Sequence, residues 1–384
     1  MATRTRRLLS ISTIGDGGGS ETALIRVLAA LDEAGWQCHV ALPPGPRLAA
    51  GYEQAGATIH PVPMRRLTLS GSRVAFAAGF AAGWAPSVAR LAALARHTGA
   101  SVVHSNTLHD LYGPAAARAA GLPHVWHARE VVVQSRAALR LERALARRSD
   151  AVVAVSHAVA AQLDPANVTV VRDLADPTRF APWHAGRFRA RAGIADGAPL
   201  VGAATRIDTW KGVDVLLDAV PAIRAARPDA EIVVAGSPVG GKQAYADGLA
   251  RRAASLGVHW LGHRDDVADL LADLDVFVQL STEPEPWGLG LVEALAAGCP
   301  VVATAAGGPL EIVAAVPRAA AALVPVGDAV ASAAAVVGLL PAGTSTARRR
   351  NRPAVVPALD PGPPFAAVLE AVIDRRARRS AALR

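Results

Sequence analysis

The stretch Ser281–Val313, STEPEPWGLGLVEALAAGCPVVATAAGGPLEIV, carries the pattern that decides the fold. Short runs of β-branched and other apolar residues predict buried strands over Asp275–Leu280, just before it, and over Val301–Thr304, within it. The residues between them predict a helix over Leu291–Ala297, which Gly298 ends. A strand, a loop, a helix and a second strand in this order indicate a parallel α/β unit.

The loop of this unit has the composition of an anion site. Gly288 and Gly290 leave backbone exposed at the start of the helix, where N–H groups bind anions. Two carboxylates flank the loop, Glu285 on the loop itself and Glu293 inside the helix. Carboxylates so placed can accept hydrogen bonds from sugar or ribose hydroxyls. The alternative is an ordinary strand–helix–strand unit that needs its glycines only for turns.

The same stretch resembles the E-x7-E block of the retaining glycosyltransferases of family 4, which have the GT-B fold. More than a dozen positions match without a gap, and they include Glu285, Gly288, Leu289, Glu293, Ala294, Gly298, Pro300, Val301, Gly307, Gly308 and Glu311. The resemblance implies an α/β protein with two Rossmann-like domains that face a central cleft. It implies an acceptor-side domain over 1–178, a nucleotide-sugar domain over 179–364, and a C-terminal helix over 365–384 that crosses back to the first domain.

A second segment, Thr205–Leu217 (TRIDTWKGVDVLL), resembles the block GRLxxxKGxDxLL of the same family. Arg206 and Lys211 are the matching basic pair. The leaving group of a nucleotide sugar is a diphosphate, and two fixed cations stabilise the negative charge that grows on it. No Asp-x-Asp motif stands in a matching place, so we expect neither a metal nor a cofactor. The alternative is that both are surface residues without a role in binding or catalysis.

The resemblance implies a role for each matching residue. The donor would be bound by Arg206 and Lys211 at the diphosphate, by Glu293 at the ribose, and by the backbone of Trp287, Gly288 and Leu289. Glu285 would bind the sugar hydroxyls or steady positive charge at the reacting carbon. Arg264, in a loop after a predicted strand, would read the nucleotide base.

The N-terminal part begins with a strand over Leu8–Ile14, a glycine loop and a helix from about Glu21. A dinucleotide-binding G-x-G-x-x-G would need glycine at position 20, where Ser20 stands, so that interpretation is weak. Gly18, Gly19 and Glu21 instead resemble the Gly-Gly-x-Glu loop of family 4, which implies a place near the donor phosphate or the acceptor. A tight turn that needs glycine is the alternative.

Polar residues follow two further predicted strands. Asn106 comes after a strand that ends at His104, and His127 and Arg129 come after one that ends at Trp126. Ligands of open α/β sheets bind beyond the carboxyl ends of strands, so we expect these residues to line the site. His127 matches a family histidine near the reacting sugar, and it is our second catalytic candidate beside Glu285. A half-buried structural histidine is the alternative.

Composition sets the remaining expectations. A net charge of +8 fits an attraction to nucleotide sugars, nucleic acid or anionic lipid headgroups, and the alternative is an Arg-rich composition without such a partner. Two cysteines fit a reducing compartment. No signal peptide or membrane span is predicted, so we expect a cytoplasmic bacterial protein that acts at the inner face of the membrane or away from it. The arginine-rich helix predicted over 134–148 fits either an anionic membrane or solvent. The expected partners are a nucleotide sugar and an acceptor hydroxyl on a glycan, glycolipid or small metabolite, without nucleic acid.

Two alternatives to a transferase stay open, namely another GT-B enzyme such as a sugar-nucleotide epimerase, and a binding protein on a degenerate GT-B scaffold. The sequence also predicts the local structure of two further segments. Glycines and Pro86 predict two helices within 71–99, and the Pro- and Arg-rich span 340–365 predicts a loop or disorder, with Arg348–Arg350 in solvent.

Overall fold

A computed structural model describes residues 6–15, 18–65, 73–133, 136–163, 168–173, 175–355 and 363–382. The chain forms two compact units. The first comprises Met1–Asp173 and Pro361–Arg384, and the second comprises Leu174–Asp360.

The first unit is built on a parallel sheet with the strand order β3-β2-β1-β4-β5-β6-β7. Its strands are β1 Arg7–Ile11, β2 Gln37–Leu42, β3 Ala57–Pro61, β4 Val102–Ser105, β5 His124–Ala128, β6 Ala151–Ala154 and β7 Val168–Val170. Its helices are α1 Gly19–Glu33, α2 Ala49–Gln54, α3 Arg73–His97, α4 Gly113–Ala120, α5 Arg136–Ala146, α6 His157–Ala160 and the C-terminal α15 Phe365–Ala382.

Helices cover both faces of this sheet. Successive side chains of a strand point to opposite faces, so Leu8 and Leu9 of β1 enter different cores. Leu8 packs in one cluster with Leu28 of α1 and Leu369 of α15. Leu9 packs in the other with Leu91 of α3. The C-terminal helix therefore belongs to the first unit, although the second unit precedes it in the chain.

The second unit has a parallel sheet with the order β10-β9-β8-β11-β12-β13. Its strands are β8 Leu200–Ala204, β9 Glu231–Ala235, β10 His259–Gly262, β11 Val276–Gln279, β12 Val301–Thr304 and β13 Ala321–Val324. Its helices are α7 Arg187–Ala192, α8 Val213–Ala226, α9 Gln243–Ser255, α10 Val267–Asp273, α11 Leu289–Ala296, α12 Gly308–Ala314, α13 Ala329–Leu339 and α14 Thr346–Arg350, with a 3₁₀ turn at Pro182–His184. Two parallel-sheet, Rossmann-like units are the predicted fold class, and this prediction is confirmed.

The prediction of two helices within 71–99 is wrong. One helix of 25 residues, α3, runs through Pro86. Long-range hydrogen bonds hold it on both sides of the proline: Trp84 Nε1 donates to the Leu111 carbonyl at 3.2 Å, and Ser87 Oγ donates to the Pro63 carbonyl at 2.5 Å. Tertiary anchors thus override the local helix-breaking signal.

The prediction of a loop over 340–365 is wrong at Thr346–Arg350, which form α14, while the other described residues from 340 to 364 lie outside helices and strands. Arg348 and Arg350 are exposed as predicted, but Arg349 between them is fully buried. Arg349 lies 3.6 Å from a carboxylate oxygen of Asp273 and 3.7 Å from one of Asp275, and Arg352 pairs with Asp275 as well. Buried charges persist only when they are paired, so this network pins the segment to the sheet. In the described part of the chain, no helix is long and apolar enough to cross a membrane.

Candidate active site

The candidate site of the second unit lies where its sheet changes direction. β8 is followed by β9 on one side, and β11 is followed by β12 on the other, so β8 and β11 form the switch point. Ligands of open parallel sheets bind at the carboxyl ends of such a strand pair. A cavity lies at this point, and its lining includes Thr205 after β8, Gln279 at the end of β11, and Lys211.

Lys211 and Glu285 form an ion pair beside this cavity. Lys211 Nζ lies 2.7 Å from Glu285 Oε2, and Ser281 Oγ donates to the same oxygen at 2.8 Å. The ammonium also lies 3.9 Å from the centroid of the Trp210 ring, within the range of a cation–π contact. Burial lowers the pKa of Lys211, and the neighbouring Glu285 opposes that effect. The ammonium therefore contacts Glu285 and Trp210 directly, and Ser281 holds the carboxylate that it contacts.

The backbone around Glu285 is fixed by the Gly307–Gly308 turn. Glu285 N donates to the Ala306 carbonyl at 3.2 Å, and Gly308 N donates to the Glu285 carbonyl at 2.8 Å. A Cβ on Gly307 would lie 2.1 Å from the Glu285 carbonyl oxygen, and one on Gly308 would lie 2.3 Å from that of Trp287. Only glycine fits at either place, so the glycine pair of the sequence motif positions the carboxylate.

Two helices begin at the same site. Gly288, with φ of 103°, precedes α11, and Gly212, with φ of 66°, precedes α8. A Cβ on Gly212 would lie 1.8 Å from the Leu280 carbonyl oxygen, so β11 and the start of α8 are in direct contact. The first N–H groups of a helix lack intrahelical partners and carry partial positive charge. Both helix starts thus add to the positive potential around Lys211.

The other predicted donor residues surround this pair to different extents. Arg206 is exposed just after β8, and its charge contributes to the lowered pKa of Lys211. Glu293 lies half-buried on α11, Trp287 is buried, and Leu289 is the first residue of α11. The structure thus brings the glycine loop and the basic pair of the sequence motifs to one strand switch.

Arg264 is engaged within its own loop. Its guanidinium donates to both carboxylate oxygens of Asp266, at 2.8 and 2.6 Å, and these bonds raise its pKa. It also lies 5.8 Å from the centroid of the Phe188 ring. Its assignment to the nucleotide base stays a prediction, and side-chain contact with a base would compete with Asp266.

In the first unit, the glycine loop leads into α1. Gly18 is the residue before the helix and Gly19 is its first residue. Glu21 is fully buried: Oε2 accepts from the Gly18 N–H at 3.3 Å, and Oε1 accepts from the Tyr52 hydroxyl at 3.4 Å. Glu21 therefore caps its own helix, and its acceptor-side role stays a prediction.

Asn106 and Arg129 are parts of one buried network. Asn106 Nδ2 donates to the Ser20 carbonyl at 3.0 Å, and Arg129 Nε donates to Asn106 Oδ1 at 2.9 Å. Arg129 also forms an ion pair with Asp173. The network ties the ends of β4 and β5 to the start of α1, and the expectation that these residues line a ligand site stays a prediction.

His127 is 1% exposed and is covered by an aromatic ring from the C-terminal helix. Phe365 stacks on it with the ring centroids 5.3 Å apart, and the ring of His104 lies 5.6 Å away. Burial first, and then the charge of Arg129, lower the pKa of His127 well below its usual value. The imidazole is therefore neutral, and its contact with a sugar stays a prediction.

Sequence reasoning missed three neighbours of the predicted residues. Ser281 and Trp210 fix the Lys211–Glu285 pair, and Phe365 covers His127. Ser281 and Trp210 stand inside or beside the recognised motifs, so their position was a usable signal. Phe365 carries no such signal, because it follows His127 by more than two hundred residues. Among the residues that the structure describes, no group of three or more His, Cys, Asp or Glu could hold a metal ion.

Two family models match the chain. Glycosyltransferase Family 4 matches residues 17–172, and Glycosyl transferases group 1 matches residues 198–341. The first therefore covers most of the described first unit, and the second covers the sheet and the candidate site of the second unit.

Curated relatives match in part. The lipopolysaccharide core biosynthesis mannosyltransferase LpsB of Rhizobium meliloti is 34% identical over 177 residues, which is 44% of this chain and 49% of the relative. The D-inositol 3-phosphate glycosyltransferase of Mycolicibacterium gilvum is 36% identical over 151 residues, which is 38% of this chain and 33% of the relative. The matches thus span half or less of the length of these relatives.

Solved structures match over nearly the whole chain. HepE from Anabaena, in complex with UDP and glucose, aligns with a TM-score of 0.73 and 24% identity over 97% of this chain and 99% of its own. Sucrose-phosphate synthase from Thermosynechococcus elongatus aligns with a TM-score of 0.71 and 19% identity over 98% of each chain. At these identities the likeness establishes the fold.

Proposed function

The chain belongs to the glycosyltransferase family that the models Glycosyltransferase Family 4 and Glycosyl transferases group 1 describe, and we propose that it moves a sugar from a nucleoside diphosphate sugar to an acceptor hydroxyl. The acceptor belongs to a glycan, a glycolipid or a small metabolite. The reaction proceeds with retention at the reacting carbon and without a metal ion, in the bacterial cytoplasm or at the inner face of the membrane.

The single observation that carries this proposal is the Lys211–Glu285 pair at the strand switch of the second unit. The distance of 2.7 Å, together with Ser281 and Trp210, fixes a cation next to a carboxylate at the carboxyl ends of β8 and β11. A nucleotide sugar presents a diphosphate next to sugar hydroxyls, and a neighbouring cation and carboxylate match these two chemistries.

The chemistry of transfer defines what each residue does. When the sugar–phosphate bond breaks, negative charge grows on the diphosphate, and Lys211, Arg206 and the start of α11 stabilise it. Positive charge grows on the sugar, and the Glu285 carboxylate stabilises that charge or orients the hydroxyls. Glu293 binds the ribose, and the backbone of 287–289 donates to the phosphate and sugar.

A structural neighbour supports one choice of donor nucleotide. HepE from Anabaena has been solved with UDP and with UDP-glucose, and its fold matches this chain nearly end to end. We therefore propose a uridine diphosphate sugar as the donor.

We propose a front-face route with retention, which needs no side-chain nucleophile. In that route the leaving phosphate takes the proton of the acceptor hydroxyl, while the acceptor oxygen attacks from the side that the phosphate leaves. The residues of this chain then bind, orient and stabilise charge. We also propose His127, neutral and buried, as a hydrogen-bond partner of the sugar.

The test is a donor-turnover assay in the presence of EDTA. Purified protein is incubated with UDP-glucose, UDP-galactose, UDP-N-acetylglucosamine and GDP-mannose, and the release of nucleoside diphosphate is measured with simple acceptors and with water alone. Proton NMR of the product gives the configuration at the reacting carbon. Release from one donor with retention supports the proposal. An inverted product, or activity that EDTA abolishes, overturns the retaining or the metal-independent part. Conversion of the donor into an isomeric nucleotide sugar would identify an epimerase instead.

A further inference from the structure

Gln279 places an amide group at the end of a buried strand. It is the last residue of β11, it follows the apolar run Val276–Val278, and it is 9% exposed. It lines the same cavity as Thr205 and Lys211. None of the sequence motifs described above includes it.

The amide of Gln279 lies against the first turn of α11. A Cβ on Gly288 would lie 3.3 Å from Gln279 Nε2, and a Cβ on Gly290 would lie 3.5 Å from Gln279 Oε1. The two glycines of the loop therefore leave room for this amide below the helix start. The same glutamine lines one cavity with Lys211, so the amide lies between the start of α11 and the surroundings of the ion pair.

The Nε2 atom of Gln279 is buried and has no hydrogen-bond partner in the part of the chain that the structure describes. A buried amide without a partner destabilises a fold, and an acceptor atom from a ligand would recover that loss. Lys211 and the first residues of α8 line the same cavity, so an ammonium group and helix N–H donors lie near the amide, although Glu285 offsets part of the charge of Lys211. The ligand atom that fits best is thus an anionic oxygen.

We infer that Gln279 is a donor-binding residue whose amide donates to a diphosphate oxygen of the nucleotide bound beside Lys211. The naming of this ligand as a nucleotide rests on the proposed function. The placement of the amide at an anion site is independent of the proposed function, because it follows from the cavity, the buried Nε2 and the helix start.

The experiment measures the binding of UDP and of inorganic pyrophosphate by calorimetry, together with the thermal stability of each unliganded protein. The variants are Gln279→Leu, which removes the amide, and Gln279→Glu, which replaces the donor by a carboxylate. The matched control is Thr304→Val. Thr304 ends the neighbouring strand β12, is 2% exposed, and has a buried hydroxyl without a partner among the described residues, but it does not line the cavity.

We expect the following stabilities and affinities. The unliganded Gln279→Leu protein is as stable as the wild type or more stable, because an unsatisfied polar group is gone. Its affinity for UDP falls by about tenfold or more, because a hydrogen bond to a charged oxygen is lost. Gln279→Glu binds more weakly still at pH 8 and recovers at lower pH as the carboxyl takes up a proton. Thr304→Val binds like the wild type.

Each other outcome decides between the two proposals. If the wild type binds UDP and Gln279→Leu binds it equally well, the inference about Gln279 is wrong and the proposed function stands. If the wild type binds pyrophosphate but not UDP, and Gln279→Leu weakens that binding, the anion site stands and the proposed uridine diphosphate donor is wrong. If the wild type binds neither, both are overturned. A fall in the stability of unliganded Gln279→Leu without any change in binding would show a purely structural residue.

Discussion

Lys211 and Glu285 are 74 positions apart in the sequence, yet Lys211 Nζ lies 2.7 Å from Glu285 Oε2. Lys211 comes just before α8, and Glu285 lies on the loop that leads to α11, so the pair joins the elements that follow the two central strands. Removal of one partner leaves the other charge buried and only partly compensated. The pair therefore connects these two elements, and it lies at the centre of the proposed reaction.

We predict that Glu285→Gln lowers donor turnover by at least about a hundredfold, because a neutral amide stabilises a growing positive charge far less than a carboxylate does. The Ser281 hydroxyl still finds an oxygen in the amide, so the fold persists. The measurement is kcat for donor breakdown together with the melting temperature. Glu283→Gln is the matched control, since Glu283 is exposed two positions earlier on the same loop. Wild-type turnover in Glu285→Gln would remove Glu285 from the reaction.

Gly307→Ala should abolish activity, because its Cβ would lie 2.1 Å from the Glu285 carbonyl oxygen and because its φ of 77° disfavours any side chain. Gly327→Ala provides the control. Gly327 has a similar φ of 73° but no atom within 4 Å of a would-be Cβ, so this change adds only backbone strain of about 1 kcal/mol. Urea unfolding and donor turnover are compared for both variants. Equal effects of the two substitutions would mean that the contact with Glu285 does not matter.

Arg349→Met is predicted to destabilise the second unit by about 3 kcal/mol, because it leaves Asp273 and Asp275 with fewer buried partners. Arg348→Met changes the exposed neighbour on the same helix and should cost less than about 1 kcal/mol. Chemical denaturation of the two variants measures the difference. Similar midpoints for both would contradict a stabilising role of the buried network.

Stability should fall as the pH falls below 6.5, because three histidines of the first unit are buried in their neutral form. Burial lowers the pKa of His124 to about 3 and lowers those of His104 and His127 well below 6.5. A group with a lowered folded pKa stabilises the fold above its unfolded pKa and loses that contribution as the pH falls towards the folded value. For His124 the window runs from 6.5 down to about 3.

Asp110 acts in the opposite direction. Burial raises its pKa from 3.8 to about 6, so its contribution is present below 3.8 and is lost as the pH rises through 6. Three histidines outweigh one carboxyl, and urea midpoints at pH 7, 6 and 5 should therefore decrease. A constant or rising midpoint over this range would contradict the neutral state of the buried histidines.

Part of the fold could be predicted from the order of apolar and turn residues. The strand Val301–Thr304 has the predicted bounds, because a short apolar run between turn residues has few alternatives to a buried strand. The helix through Pro86 could not be predicted, since its anchors, Leu111 and Pro63, lie elsewhere in the chain. The helix α14 likewise depends on distant partners, because Arg349 on it pairs with Asp273 and Asp275, more than seventy residues earlier in the chain.

The candidate site was predictable where it depends on local motifs. The glycine loop, Glu285 and the basic pair stand in recognisable blocks, and the structure places Lys211 against Glu285. The proposed role of Gln279 could not be predicted, because a polar residue at the end of a strand does not indicate a ligand until the position of the helix start above it is known. The stacking of Phe365 on His127 could not be predicted either, because it depends on the packing of the C-terminal helix.

The most direct measurement is the thermal stability of the wild type and of Lys211→Met across UDP, GDP, ADP and their sugar conjugates, with EDTA present. A ligand that binds only the folded state raises the melting temperature. We expect UDP or a UDP-sugar to raise the melting temperature of the wild type clearly. We expect little or no rise for Lys211→Met, although the unliganded variant still melts cooperatively. A folded wild-type protein that responds to none of these nucleotides would contradict the account.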